Sequence, residues 1–147
     1  MNFGKYSVNE SLEHHFELEP EWFWRVRPVT SADELAMAKF YVDNTSYIMV
    51  DGVRVEQPPL WIEVMYREIA LAFDGTNIPK QEGKKTPVLN DKSSLKDIEA
   101  VLLSMPEKMV EEIWVALGEV IPFWGPRLYQ REPSTGSPSE PEAGTAN

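Results

Sequence analysis

The chain has 147 residues, 42% hydrophobic and 11% aromatic, with a formal net charge of −10 and no cysteine. That length supports one domain with a modest core, and the longest apolar runs are too short to cross a bilayer, which points to a soluble protein. Without cysteine there are no disulfides, zinc–thiolate sites or thiol catalysis, and the acidic balance repels phosphate backbones, so nucleic acid is not an expected ligand.

Residues 1–20 are polar and acidic, with no apolar stretch of the kind that makes a secretory signal and too few arginines for a transit peptide. They predict a loosely held arm on a protein that stays where it is made. Glu13-His14-His15-Phe16-Glu17 reads as a helical turn or as nothing fixed, and it carries the only two histidines. Adjacent histidines on a helix point about 100° apart, and a metal ion wants more ligands at defined spacing. Solvated side chains are the better reading, and no metal or cofactor is expected.

Trp22-Phe23-Trp24-Arg25-Val26-Arg27 alternates apolar and charged from Trp24 onward and predicts a strand that Pro28 ends. Thr30-Ser31-Ala32-Asp33-Glu34 then offers a capping oxygen with an acid three residues on, either Thr30 with Asp33 or Ser31 with Glu34. The helix it opens should reach about Asp43, with Leu35, Ala38, Tyr41 and Val42 facing inward. Next, Asp51-Gly52 sits between Ser46-Tyr47-Ile48-Met49-Val50 and Val53-Arg54-Val55-Glu56, two strand-forming runs. This is the sequence of a β-hairpin with a two-residue type I′ turn, whose central residues both take positive φ. Pro58 and Pro59 stop the second strand, and Pro59 suits the first turn of a following helix.

That helix, residues 60–73, is apolar nearly all the way round. Trp61, Val64, Met65, Glu68 and Ala72 form one stripe, and Ile62, Tyr66, Ile69 and Phe73 a neighbouring one. A single core face cannot absorb both, so the helix is either central or hands a face to a partner. Asp74-Gly75-Thr76-Asn77 should end it with Gly75 near a left-handed C-cap; no Gly-Lys-Ser/Thr follows, so this is not a phosphate loop. A long basic loop follows Ile78-Pro79. Ser93 or Ser94 then starts a short helix carrying Leu95, Ile98, Val101 and Leu102. Over residues 105–124, Met109, Val110, Ile113, Trp114, Leu117, Val120 and Ile121 recur at three and four opposite Glu107, Lys108, Glu111, Glu112 and Glu119, an amphipathic helix that Pro122 ends. Beyond Pro126 the composition turns to Ser, Pro, Glu, Gly and Thr, which buries too little apolar area to offset ordering entropy.

The expected fold is therefore α+β: one mostly helical domain over 21–126, with a small antiparallel sheet combining the Trp24 strand and the Asp-Gly hairpin, between the arm of 1–20 and a disordered tail over 127–147. No catalytic constellation emerges, because no histidine lies within that domain. Glu63 and Arg67 stand four apart as a helix ion pair. Glu68, on an apolar stripe, should pair with Arg25, Arg27 or Arg54 instead of serving as a perturbed catalytic acid. Trp24 and Trp114 read as core, and Trp124 as an interface residue. The candidate partner-binding residues are Trp61, Ile62, Met65, Ile69 and Phe73 on the central helix, Met109, Ile113 and Leu117 on the last, and Trp124 beyond it.

The order of Trp24-Arg25-Val26-Arg27-Pro28, the capped Thr30-Ser31-Ala32-Asp33-Glu34-Leu35 helix, the Asp51-Gly52 hairpin, Trp61-Ile62-Glu63 with Arg67-Glu68-Ile69-Ala70-Leu71, and an acidic final helix before a low-complexity tail resembles the tail assembly chaperones of long-tailed, siphovirus-like bacteriophages. The resemblance covers residues 22–124 and rests on size, acidity and element order. It implies a non-catalytic protein of the host cytoplasm, without cofactor or site residues to transfer, that coats the tape-measure protein until the tail tube polymerises around it. Acidity with spare apolar faces suits that task, and the same faces favour self-association when no partner is present. Two other readings compete: a virion structural protein of the neck or tail-completion type, and an acidic inhibitor mimicking nucleic acid. The last ranks lower because Arg25, Arg27, Arg54 and Arg67 interrupt the acids.

Overall fold

The strand read at Trp24 becomes the middle of a three-stranded antiparallel sheet in the computed structural model, which describes residues 10–83 and 85–126. The expected disordered tail and residues 1–9 of the expected arm lie outside the described residues. The chain is α+β, as its sequence predicts, and its elements run β1 (Leu12–His15), β2 (Phe23–Val26), α1 (Ser31–Asp43), β3 (Ser46–Val50), β4 (Val53–Gln57), α2 (Trp61–Leu71), β5 (Phe73–Thr76), α3 (Leu95–Ser104) and α4 (Glu107–Val120). Among these, no helix is long and apolar enough to cross a membrane.

Two short segments depart from expectation. The segment expected as an arm forms β1, pairing with β2 in the register Leu12↔Val26 to His15↔Phe23. Leu12 and His14 turn toward α4 and Phe16 is buried, while Glu13 on the other face bonds Arg25 at 2.7 Å. Phe73–Thr76, expected as a helix end with its cap, forms β5 on the other side of β2, with a bulge between Trp24↔Thr76 and Val26↔Phe73. Gly75 is therefore no C-cap. Its φ is +122°, and a Cβ there would lie 3.2 Å from the Arg25 guanidinium, which donates to the Asp74 carbonyl across it.

The hairpin does not join this sheet. β3 and β4 pair only with each other, so two separate sheets replace the single one expected.

Thr30 and Asp33 make the reciprocal capping box of α1, Thr30 N–H donating to the Asp33 carboxylate at 2.9 Å. The inner face of α1 is Met37 and Phe40, with Tyr41 partly covered. Leu35, Ala38 and Val42, expected inside, face solvent. This helix is nearly as apolar on one side as on the other, so periodicity could not decide which side the body would take.

α2 proves to be the central helix. It lies against α1, α3 and α4, and Val64, Met65, Ile69, Ala70 and Leu71 join Trp24, Val26, Leu102, Ile113 and Leu117 in one core. Burying each Leu, Ile or Met contributes roughly 1.5–3 kcal/mol. Arg67 reaches Glu99 of α3 at 2.8 Å and covers the Phe40 ring, in place of the expected pair with Glu63. Glu63 instead accepts from the Leu60 N–H at 3.1 Å, satisfying an unpaired donor at the helix start. After α4 the chain doubles back: Gly125, at φ +87°, lies so close that a Cβ would come within 2.7 Å of the Gly118 Cα.

Candidate interaction surface

Asp51 and Gly52 both adopt positive φ, 51° and 78°, as a type I′ turn requires. The register Tyr47↔Glu56, Ile48↔Val55, Met49↔Arg54, Val50↔Val53 sorts the side chains by face, since directly opposed residues share one. Ile48, Val50, Val53 and Val55, all β-branched, share one face, with Ser46 and Gln57 at its end away from the turn. Tyr47, Met49, Arg54 and Glu56 occupy the other, where the Arg54 guanidinium sits 3.9 Å from the Tyr47 ring centroid.

Neither face is covered. All ten strand residues are exposed, and the six apolar side chains are 39–66% exposed. Isolated exposed aliphatics are ordinary on a protein surface, but the four that share one face of this ribbon form a patch of the kind that marks an interaction site. The paired β3 and β4 also present two open edges of backbone N–H and C=O groups.

The residues expected to bind a partner are placed differently. Met65, Ile69, Ile113 and Leu117 are fully buried, and Phe73 and Trp124 are buried as well, so none of the six offers a face. The physical reason is the central place of α2, whose two stripes are absorbed by helices on several sides and by β2. Ile62 and Met109 are partly covered against the same core. Trp61 alone stays 43% exposed, stacked on Trp114 at 5.9 Å between centroids. Trp124, expected at an interface, instead donates its Nε1–H to Glu34 of α1 at 3.0 Å. Trp24 and Trp114 are core, as expected.

Glu68 is the one buried acid among the described residues, and no arginine reaches it. Arg25 bonds Glu13, Arg27 bonds Asp33 and the Leu71 carbonyl, and Arg54 stacks on Tyr47. One Glu68 oxygen accepts from Trp114 Nε1–H at 2.8 Å and from the Gly125 N–H at 3.0 Å. Burial pushes its carboxyl up to about 7; the Gly125 and Trp114 hydrogen bonds partly offset this, and the charge of Glu34 adds to it. The group ties α2 to the turn after α4. A groove of about 500 Å³ does run between β1 and α4, lined by Glu13, Glu17, Glu111, Glu112 and Glu119 with His14 and Lys108. Within its lining Glu112 bonds both His14 Nε2 at 2.8 Å and the Glu17 N–H at 3.1 Å. Among the described residues no three of His, Asp and Glu gather as a metal site would require.

Sequence reading recognised the hairpin but not that it was the uncovered element. The signal was present: Tyr47-Ile48-Met49-Val50 is apolar at every position, so a two-stranded ribbon can hide at most one of its faces. Compared with protein-family models, curated proteins and solved structures, the chain has no match.

Proposed function

We propose that this is a non-catalytic binding protein whose β3–β4 hairpin receives an apolar segment of another chain. On its resemblance to the tail assembly chaperones, that chain is a phage tape-measure protein, held soluble in the host cytoplasm until the tube forms around it. The observation that carries the reading is the β-branched face of Ile48, Val50, Val53 and Val55, four exposed apolar side chains gathered on one face of a hairpin that pairs with no other strand. A long helical partner with an apolar stripe would aggregate unless that stripe were covered. Laying it on this face removes apolar area from water on both chains, roughly 1 kcal/mol for each half-exposed side chain here. The net charge of −10 keeps the resulting complex soluble.

Co-expression with fragments of a candidate tape-measure protein tests this. The fragment should move into the soluble fraction with the intact chain and return to the pellet with the Ile48→Asp/Val55→Asp variant. A fragment equally insoluble with and without the chain would refute the proposal. Mass spectrometry of purified virions separates the chaperone from a neck or tail-completion protein, because a chaperone is absent from the finished particle.

A further inference from the structure

We propose that the free edge of β4 pairs with β4 of a second copy of this chain, antiparallel and centred on Val55. The pair flanking a two-residue turn, Val50 and Val53, exchanges both backbone hydrogen bonds, and the pattern alternates from there. The backbone groups of Val53, Val55 and Gln57 therefore point toward β3, while those of Arg54 and Glu56 point outward. Any antiparallel partner must be read by those two residues.

Self-pairing allows few registers, and charge selects one. With Val55 on the two-fold axis, Arg54 of each copy lies opposite Glu56 of the other, so the dimer holds two opposite-charge cross-strand pairs. Shifting by two residues in one direction puts Arg54 against Arg54, and in the other direction Glu56 against Glu56. Both place like charges together. In the single chain neither Arg54 nor Glu56 has an ion-pair partner among the described residues, although both are exposed on the same face. The two-fold contact is isologous and closes at the dimer.

The product is a four-stranded sheet ordered β3-β4-β4-β3, with Ile48, Val50, Val53 and Val55 of both copies on one face, Ile48 and Val55 crossing its middle and Ser46 and Gln57 at opposite corners. That face spans about 14 Å across three inter-strand gaps, wide enough for one helix of about 10 Å diameter. In this respect the inference deepens the proposed function, since the dimer doubles the surface on which the partner would lie. The pairing itself rests only on the edge and its charges.

The chain has no cysteine, so a single introduced thiol reports the contact cleanly. In the proposed register the two Val55 residues form a non-hydrogen-bonded pair with Cα atoms about 4.5 Å apart, within reach of a disulfide. Full-length Val55→Cys should run as a covalent dimer on a non-reducing gel after mild oxidation. Ile48→Cys and Val53→Cys, on the same face but away from the axis, should stay monomeric. In the cysteine-free background, Arg54→Glu and Glu56→Arg should each raise the dimer dissociation constant about tenfold by sedimentation, and the double variant should restore it. A monomeric Val55→Cys, a disulfide through Ile48→Cys, or a double variant no better than the singles would overturn the proposal. Circular dichroism checks that every variant is folded. A crosslinked dimer that leaves the tape-measure fragment insoluble would refute the chaperone reading and keep the dimer; a soluble fragment with monomeric Val55→Cys would do the reverse.

Discussion

Replacing Glu68 with glutamine should stabilise the protein, and by an amount that depends on pH. In the folded chain this carboxyl titrates at about 7 against an ordinary 4.5, so carrying its charge in the core costs about 3 kcal/mol at 1.4 kcal/mol per tenfold change in proton affinity. The folded state holds the proton more tightly than the unfolded chain does. Its contribution to stability is therefore complete below pH 4.5 and lost as pH rises through 7. Between pH 5 and pH 8, linkage removes about 2.5 kcal/mol. Glu68→Gln keeps an oxygen to accept from Trp114 Nε1–H and the Gly125 N–H but has no proton to lose. Urea unfolding followed by tryptophan fluorescence should then show the two proteins alike at pH 5 and the variant more stable by about 2.5 kcal/mol at pH 8. At about 4 °C per kcal/mol for a domain of this size, that is a rise of roughly 10 °C in midpoint. The difference between the two curves cancels titrating groups that do not interact with Glu68, including the general repulsion of an acidic chain, and leaves Glu68 with its small coupling to Glu34. Parallel curves from pH 5 to pH 8, or a variant less stable at pH 8, would show that Glu68 does not carry a buried charge.

Asp33 should behave in the opposite sense. Burial pushes its carboxyl up, but hydrogen bonds from the Arg27 guanidinium and the Thr30 backbone N–H outweigh this and hold it below the usual range. Its contribution is present above pH 3.8 and lost as pH falls through the depressed value, so Asp33→Asn should cost about 1–2 kcal/mol at pH 7 and progressively less in acid; urea titrations at pH 7 and pH 3 measure both. Gly125→Ala combines a disfavoured φ of +87° with a Cβ 2.7 Å from the Gly118 backbone, and should cost roughly 2–4 kcal/mol in the same assay. An alanine variant as stable as the parent would mean the turn after α4 is not clamped as described.

The elements that sequence reading placed well are those whose signal is local. The α1 and α3 caps, each narrowed to two adjacent residues and resolved at Thr30 and Ser94, the Asp51-Gly52 turn and the spacing of α4 all depend on neighbours within a few residues, and all lie where those residues allow. The misplaced features depend on distant partners. β1 and β5 are four-residue strands whose pairing is set by β2, and Leu-Glu-His-His and Phe-Asp-Gly-Thr hold too few strand-forming residues to be marked by their own composition. Glu68 has its partners 46 and 57 residues away, one of them a backbone N–H in a glycine turn, which no spacing rule could supply. The surplus of apolar surface was legible, but its address was not. Two stripes on α2 suggested a face left over, whereas α1, α3 and α4 cover most of that helix and six exposed apolar side chains gather on the hairpin instead.

That displacement can be tested, because an apolar face kept for its own fold behaves differently from one kept for a partner. Ile48, Val50, Val53 and Val55 could be changed together to threonine, which keeps β-branching and cross-strand pairing but makes the face polar. If these residues support the fold, losing them must cost stability on the scale of core substitutions, 2 kcal/mol or more for the set. Their exposure argues otherwise, since side chains 39–62% open to water give up little buried area when made polar. The four-threonine chain should unfold within about 0.5 kcal/mol of the parent, as surface changes do. It should also stay soluble at higher concentration and fail to solubilise a tape-measure fragment. A drop of several kcal/mol would place the hairpin face inside the fold's own stability, and the case for an interaction surface would lose its footing.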